Sequence, residues 1–405
     1  MTRTTHHSHP TPAFPVFCMA FTDDESLLLG GGGGASRTGI VNKLKLFAVD
    51  KGGKKFEGVK EYIFEKGADS PNTLAVDPSK HTVLNASNSL LAIAATNYDG
   101  TFSAVTVFTY PDLEVVEKDV LRSKGGSGGE VVDLDWSGDG AWLAITTPSG
   151  IDLYSVSLPK STELADEKST TAEAMSDITF RQTILPPSLD LNPVVFRSAR
   201  FARTQPLPVG SSSQISATLH CILNSKSQPK TRSRSSGKRA QSTEKAFACN
   251  LSLVKPKPSP VADRADRTGE KDDVAEPKGS DDKAVDQELG KWDVVARRDV
   301  GNKPVTALEL STDGKLLAYA SSDLSIGILD ARTLTPLLKI LHAHSFPTTA
   351  LAFNPSGTLL ASSSADNTVR LIVVPESFGS SSTMILSLVI ALLLLLIALY
   401  IQYKV

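Results

Sequence analysis

A repeat with a period of 43 residues is the feature that most constrains how this chain can fold. The segments that begin at Val305 ("VTALELSTDGKLLAYASS") and Thr348 ("TTALAFNPSGTLLASSSA") align without a gap, and Gly314 falls on Gly357. A third copy begins at Val131 ("VVDLDWSGDGAWLAITTP"). Repeats of this length, built from short alternating strands and turns rich in Gly, Asp and Ser, are typical of β-propeller blades. The sequence therefore predicts an all-β propeller.

Three more divergent copies begin with "VFCMAF", "NTLAVDP" and "VVFRSARFA", which makes six traceable blades. A blade cannot cover both of its faces alone, so neighbouring blades have to stack around a ring. The last copy ends near Pro375 without an outer strand, and we expect the N-terminal segment to supply that strand. Trp136 and Trp142 are expected to fill the core between blades, and a seventh blade hidden in the divergent middle is the alternative count.

The N-terminal residues carry only a weak signal of their own. Residues 1–13 lack the apolar core of a signal peptide. On composition they are predicted to be a disordered tail, and a weak metal site at His6, His7 and His9 is the alternative.

The C-terminal segment predicts a membrane anchor. Residues 384–401 ("MILSLVIALLLLLIALYI") contain no charged side chain and are about long enough to cross a hydrocarbon core of about 30 Å. We therefore expect a tail-anchored protein with a propeller over residues 14–375, a linker over 376–383, one transmembrane helix, and residues 402–405 beyond the membrane.

Residues 225–290 are predicted to be a disordered insertion in the propeller. The first part, "SKSQPKTRSRSSGKRAQSTE", is basic, residues 256–288 are rich in Pro, Asp and Lys, and neither part has the periodicity of a folded segment. The basic part has no interleaved aromatic side chains for base stacking, and the chain has a net charge of −2. We expect no nucleic-acid partner; contact with anionic lipid headgroups is the alternative to a solvated loop.

The residue pattern does not favour an enzyme. Cys18, Cys221 and Cys249 form no C-x-x-C pair, so we expect buried free thiols in a reducing compartment. No Ser/His/Asp or paired-carboxylate set suggests bond chemistry, and His342 and His344 in "ILHAHSFP" resemble a blade-joining loop with a structural histidine. The protein is therefore predicted not to be an enzyme.

Five consecutive glycines, Gly30–Gly34, interrupt the first blade between two strand-like segments. A phosphate-binding P-loop would need Lys and Ser or Thr where Ile40 and Val41 stand. A dinucleotide fingerprint would have to open a helix, but "NKLKLFAV" alternates like a strand. Two possibilities are left: a low-complexity insert, or a loop whose carbonyls converge on a hard cation, with Asn42 adding a side-chain oxygen.

The stretch "GGGGASRTGIVNKL", together with the propeller, the insertion and the terminal apolar segment, resembles one family over essentially the whole chain. This is the prolactin regulatory element-binding protein family, the guanine nucleotide exchange factors that activate the Sar-type small GTPase and start COPII vesicle formation. The resemblance implies a seven-bladed WD-type propeller, one blade more than is traceable, anchored in the endoplasmic reticulum membrane and facing the cytosol.

The resemblance also implies a site. In the family this stretch is a potassium-binding loop that contacts the GTPase, so K⁺ is the implied cofactor and Asn42 the leading candidate for the exchange contact. The matching positions are Gly31, Gly32, Gly33, Gly34, Gly39 and Asn42. The alternative function is a tail-anchored WD-repeat scaffold without exchange activity, in which the loop could be shortened without consequence.

Overall fold

Six four-stranded antiparallel sheets form the body of the protein. The computed structural model describes residues 4–33, 39–64, 70–78, 89–96, 103–157, 177–189, 193–203, 217–225, 244–254, 289–378 and 381–404. Each sheet is one blade, and its strands follow one another from the inner to the outer edge of the ring.

The strands of the first three blades follow the chain after a separate N-terminal strand, β1 (His6–Pro10). Blade 1 comprises β2 (Val16–Asp23), β3 (Ser26–Gly31), β4 (Lys43–Val49) and β5 (Phe56–Ile63). Blade 2 comprises β6 (Pro71–Val76), β7 (Ser89–Thr96), β8 (Ser103–Tyr110) and β9 (Val115–Glu117). Blade 3 comprises β10 (Asp133–Trp136), β11 (Trp142–Thr147), β12 (Gly150–Ser157) and β13 (Asp177–Ile184).

The second half of the ring is built in the same way. Blade 4 comprises β14 (Val194–Phe201), β15 (Thr218–Ser225), β16 (Ala246–Val254) and β17 (Lys291–Gly301). Blade 5 comprises β18 (Val305–Leu310), β19 (Leu316–Ser321), β20 (Ile326–Asp330) and β21 (Pro336–Ile340). Blade 6 comprises β22 (Thr348–Phe353), β23 (Leu359–Ser364), β24 (Thr368–Val373) and, as its outer strand, β1.

The inner strands of the six blades, β2, β6, β10, β14, β18 and β22, contact one another in a closed cycle. Within the described residues every inner strand has a neighbouring inner strand on both sides. The six blades traced from the sequence are confirmed, whereas the seventh blade that the resemblance implies is not found in the described part of the chain.

Strand β1 closes the ring by pairing with β24, from His6 opposite Ile372 to Pro10 opposite Thr368. The prediction that the N-terminal segment supplies the missing outer strand is confirmed, and the prediction of a disordered tail is wrong for these residues. Composition did not predict this strand, because an outer strand is held by backbone hydrogen bonds and needs few apolar side chains. The His9 ring stacks on Phe56 with centroids 5.0 Å apart, so it packs against blade 1.

Six apolar clusters hold the blades together, and each lies between two neighbouring blades. Trp136 is buried against blade 2, where its Nε1 donates a hydrogen bond of 3.1 Å to the carbonyl of Ala75. Trp142 packs on the other side of blade 3, against blade 4. The prediction that both tryptophans are core between blades is confirmed. Burying an apolar side chain of this size contributes on the order of 3 kcal/mol.

The turn after the inner strand explains why the repeat is visible in the sequence. The aligned Gly140, Gly314 and Gly357 have φ angles of 70°, 70° and 69°, in the region that only glycine enters without strain. In blade 5 the hydroxyl of Ser311 donates to Asp313 at 2.7 Å and accepts the amide of Leu316 at 2.9 Å. Because each of these turns needs the same residue types at the same positions, the turn appears in the sequence as a recurring motif.

Two predicted segments lie partly outside the described residues. The prediction of a disordered insertion over 225–290 is wrong for Ala246–Val254, since this mostly buried, apolar segment pairs with β15 and β17 as strand β16. Residues 226–243 and 255–288 are outside the described part of the chain. A short helix, α1 (Val120–Lys124), precedes blade 3, and α2 (Ser381–Lys404) follows blade 6. The side chains at residues 381–386, 398 and 404 of α2 also lie outside the described part of the chain.

A search of the described residues detects no helix with the length and apolar character that a membrane span requires, and the predicted anchor over 384–401 is unconfirmed.

Candidate functional site

The six inner strands all begin on one face of the ring, which we call the upper face. Because neighbouring strands of a blade run in opposite directions, the connection between the second and third strands also reaches this face. In blade 1 that connection is residues 32–42, which we call the glycine loop. The described ends of the glycine loop, residues 32–33 and 39–42, therefore lie on the same face as the mouth of the central channel.

Gly30 and Gly31 are strand residues at the base of this loop. They end β3, where Gly31 pairs with Lys43 of β4. A Cβ atom on Gly31 would lie 1.9 Å from the carbonyl oxygen of Pro15, and one on Gly30 would lie 2.5 Å from the Sγ atom of Cys18. These two glycines are required because β3 approaches the start of blade 1 too closely for any side chain.

Gly32 and Asn42 close the base of the glycine loop from its two ends. The amide of Gly32 donates to the carbonyl of Pro15 at 3.1 Å, and the amide of Phe64 donates to the carbonyl of Asn42 at 3.1 Å. A Cβ atom on Gly32, whose φ is 146°, would lie 2.3 Å from Oδ1 of Asn42. Asn42 is only 8% exposed. The structure thus brings two of the predicted site residues together in a buried, hydrogen-bonded base.

The other predicted site residues are placed differently. Gly33 is half-buried and follows Gly32 directly. Gly39 is exposed, has a φ of 76°, and has no atom within 4 Å of where its Cβ would be. Gly34 lies outside the described residues. The described geometry therefore supports a tight base at residues 31, 32 and 42.

Two lysines and a glutamate flank the loop. Lys43 donates a hydrogen bond of 3.0 Å to Oε2 of Glu61, and Nζ of Lys45 lies 3.0 Å from Oε1 of the same carboxylate. The hydrogen bonds from Lys45 and Lys43 hold the pKa of Glu61 below its ordinary value. The Lys43 ammonium also lies 5.4 Å from the ring centroid of Phe14. These contacts fix the first side chains of β4 beside the base of the loop.

The donors at the base suit an alkali cation. Backbone carbonyls and an amide side chain are neutral, hard oxygen ligands, and Oδ1 of Asn42 lies against the backbone of Gly32. In the part of the chain that the structure describes, no group of three His, Cys, Asp or Glu side chains is placed to hold a metal ion. The residues present fit the implied K⁺ by their donor chemistry.

A second feature of the upper face is a cup at the mouth of the central channel. Five inner strands have a β-bulge near their start, and Val132 stands just before β10 at the equivalent place in blade 3. A bulge redirects the side chain of the extra residue. Val132 and the five bulged residues all line a cavity of about 440 Å³; the bulged residues are Phe17, Asn72, Arg197, Thr306 and Thr349.

A buried ionic cluster forms the floor of this cup. The guanidinium of Arg200 contacts Asp133 of blade 3 and donates through Nε to Glu309 of blade 5 at 2.9 Å. Arg203 donates through Nη2 to Asp135 at 2.9 Å. Two cavities of about 50 and 70 Å³ are lined by these side chains. The cavities below the cup are smaller than the cup itself, and the cluster joins the three consecutive blades 3, 4 and 5.

Burial prevails over the neighbouring arginines at two carboxyl groups of this cluster. It raises the pKa of Glu309 to about 7, although Arg200 acts to lower it. Burial likewise raises the pKa of Asp135 above its ordinary value, against Arg203 and Arg200. Burial acts to lower the pKa of Arg200, but Asp133 and Glu309 outweigh it and the pKa lies above the ordinary value. Glu309 therefore changes its charge near neutral pH.

Sequence reasoning missed the cup, although the repeat contains a signal for it. When the six inner-strand segments are aligned, the six cup residues fall in one column. Arg197 is the charged residue of that column. The alignment would have identified the column, but only the bulges show that these side chains face the channel.

His344 and the cysteines have the structural roles that the sequence predicts. The His344 ring is buried, with Nε2 at 2.9 Å from Oγ of Ser362 and Nδ1 at 3.2 Å from Oδ2 of Asp366. Burial lowers its pKa, although Asp366 acts to raise it, so the ring is neutral at pH 7. The three cysteines are free and buried.

Comparison with known families supports the same fold. The family described as WD domain, G-beta repeat, matches residues 335–372, which contain β21 to β23 and most of β24. No curated protein matches the chain significantly. The described residues form a closed ring of six four-stranded blades, so the protein is a β-propeller, and it contains a WD-type repeat over residues 335–372.

Proposed function

We propose that this protein is a guanine nucleotide exchange factor that releases GDP from the Sar-type small GTPase at the endoplasmic reticulum and so starts COPII vesicle formation. The observation that supports the proposal best is the fixed base of the glycine loop. Gly31 is packed against Pro15, and Gly32 is packed against the buried Asn42. A fixed base would restrict the positions in which the loop can meet a partner.

Exchange needs no bond chemistry. A factor that binds the nucleotide-free GTPase more tightly than the loaded form lowers nucleotide affinity by that difference in binding free energy. A loop that had to become ordered on binding would lose part of this free energy to conformational entropy. The buried base reduces that loss, and this is the physical role that we assign to Gly32 and Asn42.

K⁺ would strengthen the same loop. Its ligands would be carbonyl oxygens among Gly31, Gly32, Gly33, Gly34 and Gly39, with Oδ1 of Asn42. When bound, the ion would supply a positive charge that holds these oxygen dipoles together. The chain's own contribution is the close approach of Gly32 to Asn42.

The proposed location is the endoplasmic reticulum membrane, with the propeller facing the cytosol. Large apolar side chains on α2, from Leu388 to Ile401, are about half exposed or more. A bilayer would cover such a surface, and burying it there would be favourable by about 25 cal/mol for each Å². An anchor that follows blade 6 would keep the propeller near a GTPase on the same membrane.

The test is GDP release from a purified Sar-type GTPase loaded with a fluorescent GDP analogue. The full chain is reconstituted in vesicles and assayed in potassium chloride and in sodium chloride. The proposal predicts that release is accelerated at least tenfold in potassium and much less in sodium. Equal acceleration in both salts would contradict the proposed role of K⁺ but leave the exchange function standing.

No acceleration in either salt would contradict the exchange function. A scaffold without exchange activity predicts this last outcome.

A further inference from the structure

The cup at the mouth of the channel has an uneven lining. A ring of identical repeats would present the same side chain six times, but here the column holds one phenyl ring, one guanidinium, one aliphatic and three neutral polar side chains. Phe17 belongs to blade 1 and Arg197 to blade 4, which lie three steps apart in the cycle of six. An apolar surface therefore faces a cation across the cup.

Arg197 has hydrogen-bonding capacity to spare. Its Nη1 donates to the carbonyl of Val132 at 3.0 Å, and a guanidinium has five N–H donors in all. It forms no salt bridge with a carboxylate in the described part of the chain; Asp133 below it is engaged by Arg200. Burial lowers the pKa of Arg197, against Asp133 and Glu130. Its charge lacks the direct anionic partner that Arg200 and Arg203 both have.

A second polar group beside the cavity is also unmatched. Thr348 lines the cup and is 1% exposed, and its hydroxyl has no hydrogen-bond partner among the described residues. A buried hydroxyl without a partner costs about 1–3 kcal/mol.

The surrounding charges select the type of anion. Glu130 lines the same cavity, and Asp133 lies just below Arg197. Because Asp133 is paired with Arg200, Arg197 supplies one positive charge beside the carboxylate of Glu130, and a singly charged anion matches it better than a phosphate dianion. A planar carboxylate also accepts two parallel hydrogen bonds from a guanidinium.

We propose that the cup binds an acidic peptide segment of a protein partner, with one carboxylate held by Arg197 and the adjoining apolar stem packed against Phe17. The cavity of about 440 Å³ lies within the range of about 300–1,000 Å³ that is usual for ligand pockets. At the rim, Phe346 is 58% exposed next to Pro347, which lines the cup. The rim thus offers apolar contact to residues that flank the acidic side chain.

The test uses the blocked pentapeptides Ac-GFEFG-amide and Ac-GFQFG-amide as probes. Their binding to the full chain in detergent is measured by isothermal titration calorimetry and by saturation-transfer NMR. The proposal predicts that the glutamate peptide binds at least tenfold more tightly than the glutamine peptide. No measurable binding of the glutamate peptide, or equal binding of the two, would overturn it.

The variants assign the effect to the cup. Arg197→Met is expected to remove the preference for glutamate, whereas Arg298→Met, which changes an exposed arginine on the outer strand β17, should keep it. Near-UV circular dichroism checks the fold. If Arg197→Met does not fold, Arg197→Lys takes its place and should weaken glutamate binding several-fold. Unchanged binding in the folded variant would refute the site.

Competition by small anions shows whether the cup prefers a carboxylate or a phosphate. Sodium acetate should compete with the glutamate peptide more effectively than inorganic phosphate at equal ionic strength. Stronger competition by phosphate would overturn the carboxylate assignment. None of these assays measures exchange, so the proposal fails or stands independently of GDP release.

Discussion

Blades 1 and 6 make the same connection, from second to third strand, in two different ways. In blade 6 it is residues 365–367, and the carboxylate of Asp366 accepts hydrogen bonds from the amide of Ser345 at 3.0 Å and the hydroxyl of Thr368 at 2.6 Å. In blade 1 it is residues 32–42, and no acid takes this role at its described base, where Gly32 meets Asn42.

The difference separates two uses of one position in the fold. The short turn of blade 6 is tied by charge-assisted hydrogen bonds to a buried histidine and to the preceding loop, so its residues stabilise the ring. The longer connection of blade 1 is held at its base by Gly32 and Asn42, and connections of this kind between strands are where propellers and other folds commonly place binding residues. Stability and function should therefore respond differently to substitutions in the two connections.

The largest expected loss of stability is in blade 6. Asp366→Ala removes the acceptor of Thr368 and Ser345 and leaves His344 without its carboxylate partner. We expect the free energy of unfolding to fall by about 3 kcal/mol, measured by urea denaturation. Asp366→Asn keeps one acceptor oxygen and should lower the free energy of unfolding by less.

Exchange by the folded fraction of Asp366→Ala should be unchanged. A variant that stays fully stable would show that the turn of blade 6 is not structural and would remove the contrast with blade 1.

The next largest effect is expected at the base of the glycine loop. Gly31→Ala would place a Cβ atom 1.9 Å from the carbonyl oxygen of Pro15, and relieving that overlap should cost about 2 kcal/mol. Urea denaturation of the full chain measures the loss.

The matched control is Gly39→Ala in the same loop. A Cβ there has open space, and only the φ of 76° is unfavourable, so the expected loss is about 1 kcal/mol. If Gly31→Ala lowers the free energy of unfolding no more than Gly39→Ala does, the base of the loop is not tightly packed and the proposed rigidity is wrong.

The smallest expected effect is a loss of stability at low pH, and it arises at His344, which contacts blade 6. Burial lowers the pKa of His344, although Asp366 acts to raise it and Arg370 to lower it further. The unfolded chain therefore binds a proton there more readily than the folded chain, and stability is lost as pH falls below about 6.5. Urea midpoints at pH 7.5 and 5.5 measure this loss.

The comparison with His344→Gln isolates this contribution. Other groups add to the pH dependence: burial also lowers the pKa of His220 and raises that of Glu309 to about 7, which acts in the opposite direction. These contributions cancel in the difference between wild type and His344→Gln. The wild type should lose more stability than the variant; equal losses would show that His344 is not held neutral.

The sequence predicted the ring well because its determinants are local and repeated. Gly140, Gly314 and Gly357 adopt the same φ, so the turn demands the same residue each time. The N-terminal strand was harder to predict, since the pattern "HHSHP" carries no apolar alternation and is held in place by pairing with β24.

The candidate sites were predictable only in part. Asn42 was identified from the glycine run, but the contact that explains Gly31, with the carbonyl of Pro15, joins two strands of the blade and leaves no mark on local composition. Arg197 was missed because a bulge turns it towards the channel. An inner-strand arginine has the same local pattern whether it faces a neighbouring blade or the channel.

The most direct test of the account is GDP release from the Sar-type GTPase by Asn42→Ala in potassium, compared with wild type and with Asn302→Ala, which changes an exposed asparagine. The account predicts that Asn42→Ala stays folded, loses about 1 kcal/mol of stability, and accelerates release at least tenfold less than the other two. A folded Asn42→Ala protein that releases GDP at the wild-type rate would contradict it.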